Sequence, residues 1–543
     1  MSKLIFVTGG VVSGIGKGIL AASIGALIKG RGYLASMVKC DPYLNVDAGT
    51  MSPYQHGEVF VLKDGAETDL DLGHYERFID EDLDQSANVT SGRIYSAVIA
   101  KERRGEYLGA TVQLIPHVTN EIMDAIKDAL KRSKAEVLVV EIGGTVGDIE
   151  GLPFLEAIRQ LRRSFLPEDL LYVHTTLVPF LETTQEAKTK PTQHSVAELR
   201  SIGIQPNVVV CRSRQVISRK LREKVALFCD VDQEQVISLP DMNSIYQVPL
   251  YLQREGFSAI LDRFLGENRA ADLAKWERLE RILERPHPQL RVGVVGKYVG
   301  MGDTYISVNE ALKHASLEEE LDLQLVWVSS EKLTSDQVRE GKDLSEILGD
   351  LDGIVVPGGF DSRGVEGKIR AVEYARCQGI PYFGLCLGLQ CAVIEFARHI
   401  CGLEGANSTE CDPLTPYPVI DLLADQRGLE AKGGTMRLGA YPCLVKEGSE
   451  AWRAYGQAIV WERHRHRYEL NNAYLHLLER GGLVVSGRNE ELDLAEIVEL
   501  PGHPWFLGTQ FHPELTSRPG KPNPLFHQFI RACARRASLR WKN

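Results

Sequence analysis

LIFVTGGVVSGIGKG, Leu4 to Gly18, is the stretch on which the reading of the fold turns. An apolar, β-branched run feeds a glycine-rich turn, and ILAASIGALIKG (Ile19–Gly30) follows with helical spacing, which predicts strand, loop and helix. Backbone N–H groups and the helix dipole converge at such a helix start, so the loop is an anion site. The common phosphate loop reads G-x-x-x-x-G-K-[ST]. Counting back from Gly16 and Lys17, its first glycine belongs at Val11 but stands at Gly10, and Gly18 replaces the hydroxyl residue, so this loop is one residue longer. Two plainer readings compete: a glycine-rich turn with a solvated lysine, and a signal peptide or membrane span over the mostly apolar residues 4–28. Lys17 at the centre, five glycines from Gly9 to Gly18 and the lack of a basic leader or cleavage pattern argue against the second.

Outward from the loop, LASMVKCD, VLVVEIGG, LLYVHTTLV, PNVVVCRS and QVISLP alternate with amphipathic stretches, the pattern of a mostly parallel sheet with crossover helices. Near residue 267 the texture changes. Leu273, Trp276, Leu279 and Leu283 recur three or four apart in a charged background before Pro286 and Pro288, predicting a linker helix. LRVGVVG then opens a second series that includes LDGIVVPGGF and GIPYFGLCLG. The expectation is an α/β protein of two domains, each a mostly parallel sheet flanked by helices, with residues 1–266 as the first, 267–290 as the linker and 291–543 as the second. A chain of 543 residues exceeds what one core usually organises. Its 44% apolar and 25% charged residues suit a globular protein, and a net charge of -11 disfavours a nucleic-acid binder, which needs a basic face. Ten cysteines without CxxC pairs read as reduced thiols of a cytoplasmic protein, with no membrane partner.

In the second half, Gly384-Leu385-Cys386-Leu387-Gly388 has the form of the nucleophile elbow G-x-S-x-G with sulfur in place of oxygen. A strand turning sharply into a helix exposes the central side chain, and the helix N-terminus eases thiolate formation. For a cysteine taken alone, a small core residue is the alternative. GTQFHPELTS supplies His512 and Glu514 with one residue between, so on an extended segment a base and the carboxylate that orients it point the same way. VPGGF, Val356 to Phe360, ends another strand with two glycines whose N–H groups suit a tetrahedral oxyanion, a donor of that kind contributing about 3 kcal/mol. In the first half, GAETDLDLGHYERF places Asp69 and Asp71 in a short polar run and VVEIGGTVGDIEG places Glu141 just past an apolar strand, acids in solvated turns being the plainer reading of each. Asp71 and Glu141 suit Mg2+, which takes one or two carboxylates plus phosphate oxygens, and they replace the missing hydroxyl of the loop.

The order strand-GG, elbow cysteine and distal His-x-Glu resembles the class I (triad) glutamine amidotransferases, in which Cys386 would attack the glutamine amide, His512 would shuttle the proton and Glu514 would orient it. Asp361 stands where those relatives carry glycine. Over the whole chain, FVTGGVVSGIGKG, KCDPYLNVDAGTMSPYQHGEVFVLKDGAETDLDLGHYERF, ERRGEYLGATVQLIPHVT, EIGGTVGDIE, KTKPTQHS, GGTMRLG and ERHRHRYE resemble the CTP synthase family, and the lengthened loop is similar to that of dethiobiotin-synthetase-like P-loop ligases. The resemblance implies that UTP, ATP and glutamine become CTP, ADP, phosphate and glutamate: ATP phosphorylates uracil O4 and ammonia displaces the phosphate. It further implies Mg2+, GTP as activator, CTP as feedback inhibitor, a homotetramer with nucleotide sites shared between subunits, filaments as a further assembly, and a shielded passage for unprotonated ammonia.

By the same resemblance, Gly14, Ile15, Gly16, Lys17, Gly18 and Ile19 would bind ATP phosphates, Lys39 would steady the transferred phosphoryl group, and Asp71 with Glu141 would hold the metal near ATP. Pro240, Asp241 and Met242 would meet adenine. UTP or CTP would meet Ser13, Asp148, Ile149, Glu150, Lys188, Thr189, Lys190, Pro191, Thr192, Gln193 and Lys224. Gly359, Leu387, Gly388, Leu389, Gln390, Glu410 and Arg467 would grip glutamine, and Arg363 belongs to a loop tied to GTP. Gly14 stands where relatives often have serine, and Pro240 where they often have lysine. Two other functions compete. One is a glutamine-dependent ligase of the cobyrinic-acid-amidase type, set apart by UTP dependence. The other is a nucleotide-switched assembly protein akin to partition ATPases, which leaves the thiol elbow and the distal His-x-Glu unexplained.

Overall fold

Leu4, Ile5, Phe6 and Val7 have no exposed surface, because β1 (Lys3–Gly9) lies at the centre of a parallel sheet covered on both faces. The structure, a computed structural model, describes residues 2–183, 186–297, 302–334, 344–360, 362–422 and 435–541, so Asp361 lies outside the described residues. The chain divides into two units: Met1–Ala48 with Asp71–Glu284, and Gly49–Leu70 with Arg285–Asn543.

In the first unit β2 (Ala35–Asp41), β3 (Asn88–Thr90), β4 (Val137–Ile142), β5 (Leu170–Leu177), β6 (Val208–Ser213) and β7 (Val236–Pro240) join β1 in the order β7-β6-β5-β1-β4-β2-β3, all parallel. Near-continuous apolar runs such as VLVVEI are what a sheet buried on both faces requires. Register does the positioning. Val7 of β1 and Lys39 of β2 both stand opposite Glu141 of β4, so the loop after β1, Lys39 and Glu141 emerge together at the carboxyl ends of adjacent strands. That is where open α/β sheets bind ligands. Helices α1 (Lys17–Gly30) and α2 (Asp71–Ile79) pack beside each other over this sheet, bringing the start of α2 to the start of α1.

Helix α3 (Lys190–Ser201) carries part of the KTKPTQHS motif. The helix expected between the domains is α4 (Ala274–Leu283), and it is docked rather than free: Trp276 is buried with its ring 5.0 Å from Phe78 and 6.4 Å from Tyr246. Ile282, not Leu283, is the last residue of its buried face. Apolar residues 4–28 form β1, the loop and most of α1, and among the described residues no helix is long and apolar enough to cross a membrane.

The second unit holds a nine-stranded mixed sheet: β8 (Gln289–Gly296), β9 (Asp322–Ser329), β10 (Gly353–Val356), β11 (Tyr382–Leu385), β12 (Arg437–Val445), β13 (Ile459–His466), β14 (Val484–Asn489), β15 (Leu494–Glu499) and β16 (Phe506–Thr509). Their order is β9-β8-β10-β11-β16-β15-β14-β12-β13, parallel from β9 to β16 and antiparallel beyond. Helix α5 (Leu387–His399) follows β11 immediately. A linear reading groups Gly49–Leu70 with residues 1–266, whereas its contacts lie in this unit. A small hairpin, Phe60–Val61 with Glu67–Thr68, is held by Lys63 O accepting from Ala440 N at 2.9 Å and Val61 O accepting from Arg463 at 3.1 Å. Arg465 Nε donates to Glu67 at 2.8 Å.

Candidate active sites

The P-loop turn runs Val11 to Gly16 with Val11, Gly14 and Gly16 at positive φ (81°, 70° and 90°), backbone that a non-glycine residue rarely adopts. Lys17 opens α1, is buried, and donates from Nζ to Gly144 O at 2.7 Å. Burial pulls its ammonium below the ordinary lysine value. Lys39 bridges two acids, Glu141 at 2.7 Å and Asp71, and Tyr75 donates to the same Glu141. Burial opposes charge on Lys39, but Asp71 and Glu141 outweigh it and hold the ammonium well above its usual range. For Asp71 burial is likewise outweighed, by Lys39, and the carboxyl is lowered; for Glu141 burial wins and the carboxyl is raised.

The same packing explains Gly18. A Cβ there would stand 2.1 Å from Asp71 Oδ1, so the carboxylate of α2 takes the room that a serine or threonine side chain fills in the common loop. The donor set fits a hard divalent cation: two carboxylates share one lysine ammonium beside an anion-binding loop, and magnesium draws its other ligands from phosphate and water. Among the described residues no cluster of three or more metal-ligating His, Cys, Asp or Glu occurs. Gly18→Ser, which restores the hydroxyl residue of the common motif but not its length, is expected to displace Asp71 and lower ATP-dependent turnover by about 10- to 100-fold, since misplacement by an ångström is costly. Steady-state kinetics at saturating ATP check it, with glutamine hydrolysis as the control that should not change.

Other sequence-derived residues fall around this centre in different ways. Gly16 lies 3.8 Å, measured from a built Cβ, from Arg212 Nε, and Arg212 also donates to Pro240 O at 2.8 Å and pairs with Asp241 at 2.9 Å, which ties the adenine candidates to the loop. Arg212 carried no motif and was not foreseen. Nor was His174, bonded to Thr8 at 2.9 Å and Ser195 at 2.8 Å and drawn down to about 3 by burial. Ser195 fills the space where Gly10 lacks a side chain. Thr192 and Gln193 are buried in the first turn of α3, with Gln193 donating to Thr189 at 3.1 Å, while Lys190 and Lys224 are exposed and Lys188 pairs with Glu186. Ser13, Gly14 and the segment Asp148–Glu150 are exposed, Ile149 by 82%, and Thr145 N donates to Asp148 at 2.8 Å.

In the second unit, Cys386 sits between β11 and α5 at φ 50° and ψ -100°, the strained turn that an elbow demands. Gly388 is required for close packing: a Cβ there would be 2.1 Å from Val356 O. His512 Nδ1 is 2.7 Å from Glu514 Oε1. Burial alone would lower the imidazole, but Glu514 and the Cys386 sulfur outweigh it and hold it well above its usual value. Nε2 on the other side of the ring is buried with no completed hydrogen bond, as is common for a catalytic base before substrate arrives. Gly358 lies between the two partners, its built Cβ 3.0 Å from His512 and 3.7 Å from Cys386.

Two lysines absent from the sequence reading hold the glycine pair. Lys368 donates to Pro357 O at 3.1 Å and Lys297 to Phe360 O. Gly359 adjoins the elbow, its built Cβ 3.5 Å from Leu387. Cys386, His512 and Glu514 open on a cavity of about 290 Å³ that Gly49, Thr50, Met51, Glu58 and Val61 also line. Gln390 donates to Tyr468 O at 2.9 Å, and Glu410 and Arg467 both act electrostatically on the Tyr468 phenol, so three glutamine candidates share one neighbourhood. Arg363 is exposed, 2.9 Å from Tyr54 Oη and 3.4 Å from Glu331. Beneath the triad, His464 and His466 are bonded at 2.9 Å, and burial holds both well below the usual histidine value.

The chain is similar to known proteins over nearly its whole length. A family model described as CTP synthase N-terminus matches residues 3–266, and one described as glutamine amidotransferase class-I matches residues 301–532. A CTP synthase of Thermomicrobium roseum is 58% identical over 98% of this chain and 95% of its own, and one of Carboxydothermus hydrogenoformans is 57% identical over 98% of each. The solved glutaminase domain of a Trypanosoma brucei CTPS with bound acivicin is 38% identical, covering 45% of this chain and 94% of its own, with a TM-score of 0.43.

Proposed function

The chain belongs to the CTP synthase family of glutamine-hydrolysing, ATP-dependent ligases, and from that premise we propose how its own residues divide the work. Substrates are UTP, ATP and glutamine. In the second unit Cys386 is the nucleophile. Its proton passes to His512 Nε2 as the sulfur forms a bond to the carboxamide carbon of glutamine, and Glu514 keeps the imidazole turned toward the sulfur. The proton then goes to the leaving nitrogen as the C–N bond breaks, releasing ammonia, and water resolves the thioester to glutamate. Backbone N–H groups of Gly358–Gly359 and the start of α5 suit the oxyanion, the more so because Lys297 and Lys368 hold the flanking carbonyls. Gln390, Glu410 and Arg467 hold the amino acid portion.

In the first unit the loop Gly14–Ile19 and Lys17 bind ATP phosphates, and Lys39 neutralises charge on the phosphoryl group moving to uracil O4. Ammonia then attacks C4 and phosphate leaves. Asp71 and Glu141 are the residues that would hold Mg2+, which when bound supplies positive charge to the phosphate oxygens. Pro240, Asp241 and Met242 meet adenine near Arg212. Ser13, Asp148–Glu150, Lys188–Gln193 and Lys224 contact UTP, or CTP as inhibitor. The exposure of Ser13, Asp148–Glu150, Lys190 and Lys224 suits a homotetramer in which a neighbouring subunit completes the pocket. Arg363, with Tyr54 and Glu331 beside it, is the candidate contact for GTP as activator. Ten unbridged cysteines suit a cytoplasmic setting.

The observation that carries this reading is the presence in one chain of a strained elbow thiol beside His512–Glu514 and of a P-loop lysine beside Lys39, Asp71 and Glu141. The test is ultraviolet absorbance on mixing the protein with UTP, ATP and Mg2+, and then either glutamine or ammonium salt. CTP is expected from both nitrogen sources; UTP left unchanged with every cosubstrate present overturns the reading.

A further inference from the structure

The sulfur of Cys386 has polar neighbours besides the histidine: Arg465 O lies 4.0 Å from Sγ, and Gln510 Nε2 lies 3.6 Å from it, in a side chain with no exposed surface. Its place is set by the sheet. β11 and β16 pair with Leu385 opposite Thr509, and Cys386 N donates to Thr509 O at 2.7 Å, so the residue after Thr509 lies against the elbow. Gln510 N donates to Glu496 O at 2.8 Å, which holds its backbone from the other strand.

Which end of the carboxamide faces the sulfur is decided by a chain of hydrogen bonds. Tyr468 O is a carbonyl and only accepts, so the Gln390 group 2.9 Å from it is the NH2. That NH2 also faces Gln510 at 3.4 Å, and can be met there only by the oxygen. The Gln510 NH2 is therefore turned to Cys386. A donor aimed at sulfur favours the anion over the thiol, whereas the reversed amide would set oxygen against it. We propose that Gln510 is a catalytic partner of Cys386, its carboxamide N–H holding the thiolate in line for attack on the glutamine amide, with Gln390 as the residue that orients it.

The proposal rests on Cys386 being the nucleophile and adds to it a second source of thiolate stability. Other titratable or charged groups face the same sulfur or its support: His512 with Glu514, His464 and His466 of β13, and Lys297 and Lys368 behind the glycine pair. Arg465, on the cavity wall, is engaged by Glu67. None of these sits between Gln510 and the sulfur.

The experiment replaces the donor without changing the length of the side chain. In Gln510→Met, alkylation of Cys386 by iodoacetamide, read on its own peptide by mass spectrometry across pH, is expected to slow about tenfold at neutral pH and to recover as pH rises, the size of a single lost hydrogen bond to a charge. Glutamine hydrolysis at neutral pH is expected to fall about tenfold in kcat with KM little changed, and to recover as pH rises. Ammonia-dependent synthesis should stay as in the unsubstituted protein. Gln510→Leu, which likewise lacks the donor and adds no charge, is expected to slow alkylation to the same extent and is decisive if the methionine variant does not fold. An unmoved alkylation profile, or a loss of hydrolysis that high pH does not restore, overturns the role of Gln510. Glutamine hydrolysis surviving in Cys386→Ala would instead overturn the nucleophile assignment, so the two failures are distinguishable.

Discussion

Cys386→Ala abolishes glutamine-dependent CTP formation, by on the order of 10^4-fold or more, and leaves formation from ammonia within twofold of the unsubstituted protein. The size follows from losing the atom that forms the covalent bond, which in hydrolytic triads costs nearly as much as losing every member. The backbone of the elbow should survive, because Cβ is retained at φ 50° and the strand-to-helix turn is held by Gly384, Gly388 and the Cys386 N to Thr509 O bond rather than by sulfur. Side-by-side initial rates with glutamine and with ammonium at alkaline pH, where ammonia is unprotonated, measure the split. Equal loss from both sources would contradict the division of labour between the two units.

Lys17→Ala produces the opposite pattern: synthesis falls about 10^2- to 10^3-fold with either nitrogen source, while glutamine is still hydrolysed. A preorganised charge at a transferring phosphoryl group is worth several kcal/mol when it is shielded from water. Lys17 is 8% exposed, anchored to Gly144 O, and stands within the field of Glu141, Lys39 and Asp71. Paired measurements of ADP release and glutamate release check it, since the first should collapse and the second persist. If ammonia-dependent synthesis survived unchanged, the loop would not be the seat of phosphoryl transfer.

Much of the site was legible because its parts are local. The β1-loop-α1 unit, the elbow around Cys386 and the His512-x-Glu514 pair each lie within a short run, where backbone preference and side-chain spacing act together. Residues tied by long-range contact were not. Gln510 reads as one more polar residue before a His-Pro-Glu motif until β16 is laid beside β11. Lys297 and Lys368 read as ordinary surface lysines until their ammonium groups are seen on the carbonyls of Phe360 and Pro357.

The sequence by itself determined the class of chemistry: a lengthened phosphate loop on a parallel sheet, a thiol elbow, and a distal base with its carboxylate. These are encoded by residue type and spacing over a turn or a strand, distances at which the chain has few choices. Only the tertiary structure decided why residue 18 is glycine, since Asp71 fills its side-chain space, and that Gly49–Leu70 belongs to the second unit and supplies residues to its cavity. The physical reason is the same in both cases. Excluded volume and hydrogen bonding between segments far apart in the chain depend on strand register and helix packing, which no local pattern specifies.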